Sequence, residues 1–268
     1  MSTKNLNHIT IIISTRNSEN WIERCIDSAV NQDYPKDKFD IIFLDAESTD
    51  QTFVKAKQFE KKFENFKAFR NEKRKFQGEN ILIGTKMAKE KSIICHLDGD
   101  DWYYHSNVLA RINCEYLKYD CYLTHGSYIE FHGDNLPLRS VQGIYHAYPK
   151  EVIENKTFRQ YKWLGSHLRS HRRELLLNVN ENDLKDETTG DFVSMAPDLS
   201  FMWYMMELAG DKIRFIPDEL YVYNRANENN EAKQNQSEID RIEKQLRARK
   251  PYHTLEQLYE PVTATSNQ

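Results

Sequence analysis

The sequence contains few cysteines. Four occur among its 268 residues, and no two of them have the spacing of a CxxC pair. A disulfide framework is therefore not predicted. Cys25 and Cys95 fall within apolar stretches, a pattern typical of buried free thiols in a protein from a reducing compartment.

Long apolar runs and an excess of basic charge are missing too. Residues 1–7 are polar and lack the apolar core of a secretion signal. No run approaches the roughly 18 apolar residues of a membrane span. The formal net charge is -4, so no broad basic surface for nucleic acid is indicated. We expect a cytoplasmic protein with no membrane span and no nucleic-acid partner.

Glycine-rich phosphate loops are the third absence. The chain has nine glycines and no GxGxxG segment. The stretch Gly78–Lys86 superficially resembles a P-loop, but its glycines are too far apart and Lys86 follows the threonine instead of preceding it. These absences argue against a dinucleotide oxidoreductase and a P-loop NTPase. A nucleoside diphosphate bound here would need a metal ion to neutralise it.

Short β-branched strands alternate with amphipathic helices through the first hundred residues. Residues 8–14, 39–45 and 92–97 form apolar strand patterns, and the segments between them have helical spacing. This alternation predicts an α/β fold with a mostly parallel, doubly wound sheet and helices on both faces. Farther along, residues 212–216 and 220–223 are predicted as two strands, and residues 132–158 as an irregular loop.

Two of these strands end in acid. Asp98-Gly99-Asp100-Asp101 follows one apolar run and Asp45 ends another. Open α/β sheets bind ligands at the carboxyl ends of their strands, and alternate carboxylates there suit a hard divalent cation shared with a phosphate. Gly99 is predicted to permit a sharp turn. The alternative interpretation is a solvated acidic turn.

Four motifs occur in order along the chain: Ile11-Ile12-Ile13-Ser14-Thr15-Arg16-Asn17, Asp45-Ala46-Glu47-Ser48-Thr49-Asp50, Leu97-Asp98-Gly99-Asp100-Asp101 and Ala196-Pro197-Asp198. Each motif alone is weak, but their order and spacing resemble the family 2 glycosyltransferases of the GT-A fold. The resemblance covers roughly residues 8–225. It implies an inverting enzyme that takes a UDP-sugar as donor and uses Mn²⁺ or Mg²⁺.

The resemblance also implies roles for individual residues. Asp198 matches the catalytic base, which takes a proton from an acceptor hydroxyl. Asp98 and Asp100 match the metal site. The expected nucleotide-sugar contacts are Ser14, Arg16, Asp45, Asn80, Asp98, Gly99 and Asp100.

The chain also departs from the family pattern. Many family members have a second acidic residue, which contacts the uracil ring, at the position that is Ala46 in this chain. Residues 227–233 lack the histidine that some members use as a further metal ligand. Other residues carry two interpretations. His167 and Arg169 fit either donor or acceptor contacts or a core-edge strand, Trp102 either sugar stacking or packing, and Lys233 is a candidate diphosphate contact.

These patterns lead to one organisation and one function. Residues 1–236 are predicted to form the GT-A domain, with a nucleotide-sugar half (about 8–103) and an acceptor half (about 104–236). Residues 237–268 are a helix and polar tail, whose thin apolar stripe is expected to pack on the domain edge or on a partner, and is thus a candidate homo-oligomer contact. The predicted reaction moves glucose, galactose or N-acetylglucosamine from UDP to a hydroxyl on a glycan or protein. A sugar-phosphate nucleotidyltransferase and a non-catalytic binding module are the alternatives.

Overall fold

A computed structural model describes residues 6–228 and 235–258. Within these residues the strands are β1 (Ile9–Thr15), β2 (Phe39–Asp45), β3 (Phe66–Arg70), β4 (Ile93–Asp98), β5 (Trp102–Tyr103), β6 (Leu123–Phe131), β7 (Arg139–Ser140), β8 (Arg169–Arg172) and β9 (Ile213–Asn224). The helices are α1 (Ile22–Val30), α2 (Thr52–Glu60), α3 (Gln77–Met87), α4 (Val108–Tyr119), α5 (Lys150–Glu154), α6 (Arg173–Leu177), α7 (Pro197–Ala209) and α8 (Gln236–Ala248).

All the described strands belong to one sheet with the order β3-β2-β1-β4-β8-β6-β9-β5, and β7 pairs with β6. Strands β1 to β4 are mutually parallel, and β6 and β9 point the same way because the antiparallel strand β8 lies between β4 and β6. Strand β1 has β2 on one side and β4 on the other, with Thr15 opposite Asp45 and Ser14 opposite Asp98. The two acid-tipped strands therefore end on either side of β1.

The two faces of the sheet bury separate apolar cores. In β1, Ile11 and Ile13 enter the core beneath α1, α2 and α4, whereas Ile12 enters the core beneath α3, α6 and α7. This alternation follows from the two-residue period of a strand. Layers of helices on both faces of one sheet are the architecture that the sequence pattern predicts.

Two predictions about local structure are wrong. The expected pair of strands near residue 213 is a single strand, β9, and its pairing with β6 skips two residues between Ile216 and Glu219. A bulge accommodates Pro217 there without ending the strand. The expected irregular loop at 132–158 contains β7 and α5, because residues 139–140 pair with the edge of β6.

Helix α8 packs onto this chain. Ile242 and Leu246 are fully buried in the core that also contains α7. The Arg159 guanidinium donates to the Leu246 carbonyl and pairs with Glu207 of α7 in a fully buried ion pair. Of the two expected positions for the apolar stripe, the domain edge or a partner, Ile242 and Leu246 therefore take the first. The division at residue 236 stays a prediction. Among the described residues, no helix is both long and apolar enough to cross a membrane.

Candidate functional site

A cavity of about 660 Å³ opens at the carboxyl ends of β1 and β4, beside the first turn of α7. Its wall includes the ends of both strands, the β8 segment and one face of α8. The sequence-predicted residues that line it are Ser14, Arg16, Asp98, Asp100 and Asp198. The sheet topology thus brings together motifs that are far apart in the chain.

Gly99 lies in a turn directly after β4, as predicted, and the Asp101 amide closes this turn by donating to the Asp98 carbonyl at 3.0 Å. The φ of Gly99 is not positive, so the turn does not need a left-handed backbone. A Cβ at this position would lie 2.2 Å from Cβ of Thr15. Glycine is required because the turn passes directly against the end of β1, and this contact fixes where Asp98 and Asp100 project.

The Asp98 carboxylate is held by an arginine and a glutamine side chain. Arg169 on β8 donates from Nη2 to Asp98 Oδ2 at 2.8 Å, and Gln77 donates to Oδ1. The Asp98 side chain is 18% exposed. Burial by itself would raise its pKa, but Arg169 and then His167 outweigh burial and hold the pKa below its usual range. Asp98 is therefore ionised at neutral pH.

The next two acids have different surroundings. Asp100 lines the cavity, and the side chain of Asn227 donates to its Oδ2 at 2.7 Å. Asp101 is fully buried and accepts from the Tyr221 hydroxyl at 2.7 Å and the Asn224 amide at 2.8 Å. Burial, with Asp100 and Asp98 nearby, raises the pKa of Asp101.

His167 lies beside two carboxylates of the acidic turn. Its Nε2 lies 3.5 Å from Asp98 Oδ2 and 3.7 Å from Asp101 Oδ2. The imidazole ring stacks on Tyr223 and contacts the tilted ring of Tyr221, and its Nδ1 is 2.9 Å from the Ser166 hydroxyl. Burial lowers the pKa of His167, which favours the neutral imidazole. One ligand atom from each of Asp98, Asp101 and His167 lies within 4.8 Å of the others.

These donors fit a divalent cation. Carboxylate oxygens suit Mg²⁺ and Mn²⁺, and a neutral imidazole whose second nitrogen is held by a hydrogen bond is a usual metal ligand. The predicted ligand pair was Asp98 and Asp100. The structure places Asp101 and His167 beside Asp98, and sequence reasoning assigned neither to the metal. His167 is separated from Asp98 by about seventy residues, so no local pattern links it to the metal site. The sequence indicated only that His167 and Arg169 are candidate donor or acceptor contacts.

Asp198 lies in the first turn of α7, at the cavity wall. Ala196 precedes it in the left-handed conformation (φ 47°, ψ 47°), and Pro197 begins the helix. The Asp198 side chain is 19% exposed, and its Oδ2 is 3.7 Å from Arg169 Nη1. Burial raises the pKa of Asp198, opposed by Arg169. One guanidinium thus lies between the carboxylate of the acidic turn and the carboxylate of α7.

Asp45 and Asn80 lie behind the cavity wall. Both are fully buried. Asn80 donates to the Ser14 hydroxyl at 3.1 Å, so it supports a residue that lines the cavity. Asp45 Oδ2 accepts from the Ser48 amide, whereas its Oδ1 has no hydrogen-bond partner among the described residues. Arg16 Nε likewise has none there. A buried acceptor and a buried donor thus lack partners on two adjacent strand ends.

Trp102 lies away from the cavity. It is 6% exposed and packs with Trp21 and Phe131, with the Arg24 guanidinium 3.7 Å from its ring centroid. The packing interpretation therefore describes Trp102, and stacking on a sugar in this cavity does not. Lys233, the candidate diphosphate contact, lies outside the described residues.

The family model of glycosyl transferase family 2 matches residues 10–177, well over half of the sequence. The chain belongs to glycosyl transferase family 2. The predicted resemblance is therefore confirmed. The match includes the acidic turn, His167 and Arg169, and it ends before Asp198 and α8.

Curated and solved relatives agree with this family. A Methanococcus voltae dolichyl N-acetyl-alpha-D-glucosaminyl phosphate 3-beta-D-2,3-diacetamido-2,3-dideoxy-beta-D-glucuronosyltransferase is 47% identical over 72 residues, covering 26% of this chain and 22% of the relative. Staphylococcus aureus TarS 1–349, solved in complex with UDP, has a TM-score of 0.60 at 19% identity, covering 81% of this chain and 60% of TarS. The matched segments thus span less than two thirds of each of these proteins.

A third likeness is the mannosyltransferase PcManGT from Pyrobaculum calidifontis, solved with GDP-Man and Mn²⁺. Its TM-score is 0.55 at 17% identity, covering 82% of this chain and 58% of PcManGT. At these identities the structural likenesses show the fold. The predicted α/β, GT-A class is confirmed.

Proposed function

We propose that this protein is an inverting glycosyltransferase that moves a hexose from a UDP-sugar to an acceptor hydroxyl with the help of a divalent cation. One observation carries the proposal: a single cavity contains the acidic turn and Asp198, with Arg169 in contact with both. Family membership favours sugar transfer over the nucleotidyltransferase alternative. The structural neighbours include a UDP complex and a GDP-Man complex with Mn²⁺.

Asp198 is the proposed catalytic base. Its raised pKa makes the carboxylate a better proton acceptor. Asp198 lies in the N-terminal turn of α7 and lines the cavity, so a hydroxyl can reach it. The acceptor oxygen attacks the anomeric carbon from the side opposite the leaving diphosphate, while its proton passes to Asp198. A single in-line displacement of this kind inverts the anomeric centre. Holding the two reactants in line supplies much of the acceleration.

Arg169 has a positioning role in this proposal. Its 2.8 Å contact with Asp98 and its 3.7 Å contact with Asp198 hold the two carboxylates at a fixed separation. Without the guanidinium, the two partly buried carboxylates would repel each other. Arg169 also places a positive charge beside the expected position of the diphosphate.

The cavity wall carries both signs of charge, with Arg16, Arg74, Lys75 and Arg169 as its cations. The carboxylates of Asp98, Asp100 and Asp101 are concentrated at the acidic turn, so this part of the cavity favours a cation. We propose that Asp98 and Asp100 hold it, with His167 and Asp101 adjacent. When bound, the cation would offset the charge that develops on the leaving diphosphate. Arg16, which lines the cavity and whose Nε has no hydrogen-bond partner among the described residues, is the proposed contact for the nucleotide.

The test is a panel of UDP-glucose, UDP-galactose and UDP-N-acetylglucosamine with Mn²⁺, scored by UDP release and by binding calorimetry with UDP. We expect turnover with at least one donor. Asp198→Asn should bind UDP normally and lose transfer by at least about a hundredfold, the usual size of a general-base contribution. Asp100→Asn should lose the Mn²⁺-dependent part of UDP affinity.

Asp211→Asn is the matched control, because this exposed residue just beyond α7 lies outside the cavity. It should behave like the unaltered protein. Transfer by Asp198→Asn at an unaltered rate would show that another group is the base. Release of pyrophosphate from a nucleoside triphosphate and a sugar phosphate would contradict the proposal altogether.

A further inference from the structure

The cavity is also lined by residues that the proposed donor site does not use. These are Trp163, in the segment before β8, and Ile239 and Glu243 of α8. The donor contacts come from the ends of β1 and β4, whereas these residues come from other parts of the fold. Because they line the same cavity as Asp198, they are candidates for contacts with an acceptor at the proposed base.

The Trp163 ring is fixed in place by its neighbours. It meets the fully buried Trp203 of α7 edge to face, with ring centroids 5.8 Å apart at 81°. A Cβ on Gly165 would lie 2.7 Å from the Trp163 ring and 2.9 Å from Cε of Met206. Glycine at 165 therefore lets the chain fold closely beneath the indole, which stays partly exposed to the cavity.

Glu243 is fixed from one side only. Arg247 donates from Nε (2.8 Å) and Nη2 (2.5 Å) to Oε1 of Glu243. Oε2 has no hydrogen-bond partner among residues 6–228 and 235–258, and the side chain is 34% exposed. Arg247 also donates to the carbonyls of Arg159 and Tyr161. The same guanidinium thus orients Glu243 and anchors the segment that leads to Trp163.

We propose that Trp163 and Glu243 form an acceptor subsite for a pyranose ring. This inference rests on the proposed function and names the acceptor class as a cyclic sugar. An indole offers a flat apolar surface with little entropy to lose, which matches the flat C–H face of a pyranose. A carboxylate oxygen accepts hydrogen bonds from ring hydroxyls. An acyclic polyol or a peptide side chain has the hydroxyls but no comparable flat face.

In this proposal, α8 contributes residues to the acceptor subsite. This helix lies beyond the segment that matches the family model, yet Ile242 and Leu246 bury one side of it and Glu243 projects from another into the cavity. The helix therefore supplies part of the acceptor wall that the matched segment lacks.

The first experiment is saturation-transfer NMR on the full chain with UDP, methyl β-D-glucopyranoside, methyl N-acetyl-β-D-glucosaminide and ribitol. We expect transfer to UDP and to at least one methyl pyranoside, and little to ribitol. Trp163→Ala should lose the pyranoside signal and keep the UDP signal, and Trp163→Phe should retain part of it. Trp21→Ala is the control, because this tryptophan packs in the separate cluster with Trp102.

The second experiment measures steady-state kinetics with the pyranoside as acceptor. Trp163→Ala and Glu243→Gln should each raise the acceptor KM by about tenfold or more, equivalent to about 1.4 kcal/mol. The donor KM and the slow hydrolysis of UDP-sugar should not change. Glu238→Gln is the control, because Glu238 also pairs with an arginine of α8 but lies outside the cavity.

The outcomes separate this inference from the proposed function. Equal pyranoside signals for Trp163→Ala and the unaltered protein, or equally strong transfer to ribitol, would overturn the subsite while UDP binding stands. A rise in the donor KM alone would place Trp163 on the donor side and would also overturn it. Absence of UDP binding in every variant would reject the proposed function itself.

Discussion

His125 links the stability of this protein to pH. It lies on β6 with 1% of its surface exposed, among the rings of Tyr148 and Phe215. Its Nδ1 is 3.1 Å from the carbonyl of Leu164, which can only accept, so Nδ1 carries the proton of the neutral ring. Burial lowers the pKa of His125 to about 4. The contact also holds the backbone next to Trp163.

The sign of the effect follows from proton linkage. Unfolded histidine titrates near pH 6.5, so between about pH 6.5 and 4 the unfolded chain binds a proton that the folded chain does not. Stability is therefore lost as the pH falls through this window. With these two pKa values, lowering the pH from 6.5 to 5.0 should remove about 1–2 kcal/mol through His125 alone.

The assay is urea unfolding at both pH values, for the unaltered protein and for His125→Phe. Other buried histidines, and carboxylates whose pKa is raised, also contribute to the pH dependence of stability. Where the sites are independent, these contributions are equal in the two proteins and cancel in the difference. We expect the unaltered protein to lose about 1–2 kcal/mol more than His125→Phe on acidification. Equal losses for His125→Phe and the unaltered protein would refute the reasoning.

Two further predictions concern the acidic turn and the attachment of α8. Gly99→Ala should cost about 1–3 kcal/mol of stability and abolish Mn²⁺-dependent UDP binding, because its Cβ would lie 2.2 Å from Thr15 Cβ; unchanged affinity by calorimetry would contradict this. Glu207→Leu leaves the buried Arg159 guanidinium without a counter-charge and should cost about 3–5 kcal/mol in urea unfolding. The exposed pair partner Glu154 provides the control, since Glu154→Ala should cost under about 1 kcal/mol. A loss below about 1 kcal/mol for Glu207→Leu would contradict the role of the buried pair.

Much of the fold was predictable because it depends on local patterns. Alternation in β1 assigns Ile11 and Ile12 to opposite faces whatever the rest of the chain does. Alternating strands and helices predict a parallel sheet, and parallel strands end at a common edge. The meeting of Ser14, Asp98 and Asp198 in one cavity follows from that topology together with the family resemblance.

The sequence alone fell short where a local pattern left a tertiary contact undecided. It predicts two separate strands at residues 212–216 and 220–223, but pairing with β6 continues past Pro217 through a bulge. The stripe of α8 fits packing on the domain edge or on a partner, and only the fold shows that Leu246 is buried in this chain's own core.

What the sequence by itself determined is the alternation of strands and helices in the first half of the chain, the acidic ends of two strands and the family to which the motifs belong. The tertiary structure alone decided which side chains share a site: Arg169 between Asp98 and Asp198, His167 beside Asp101, and Glu243 in the same cavity as Trp163. These pairs are separated by tens of residues, and no periodicity relates them. Their distances arise because sheet register and helix packing place distant backbone segments side by side, and each contact depends on how the whole chain folds.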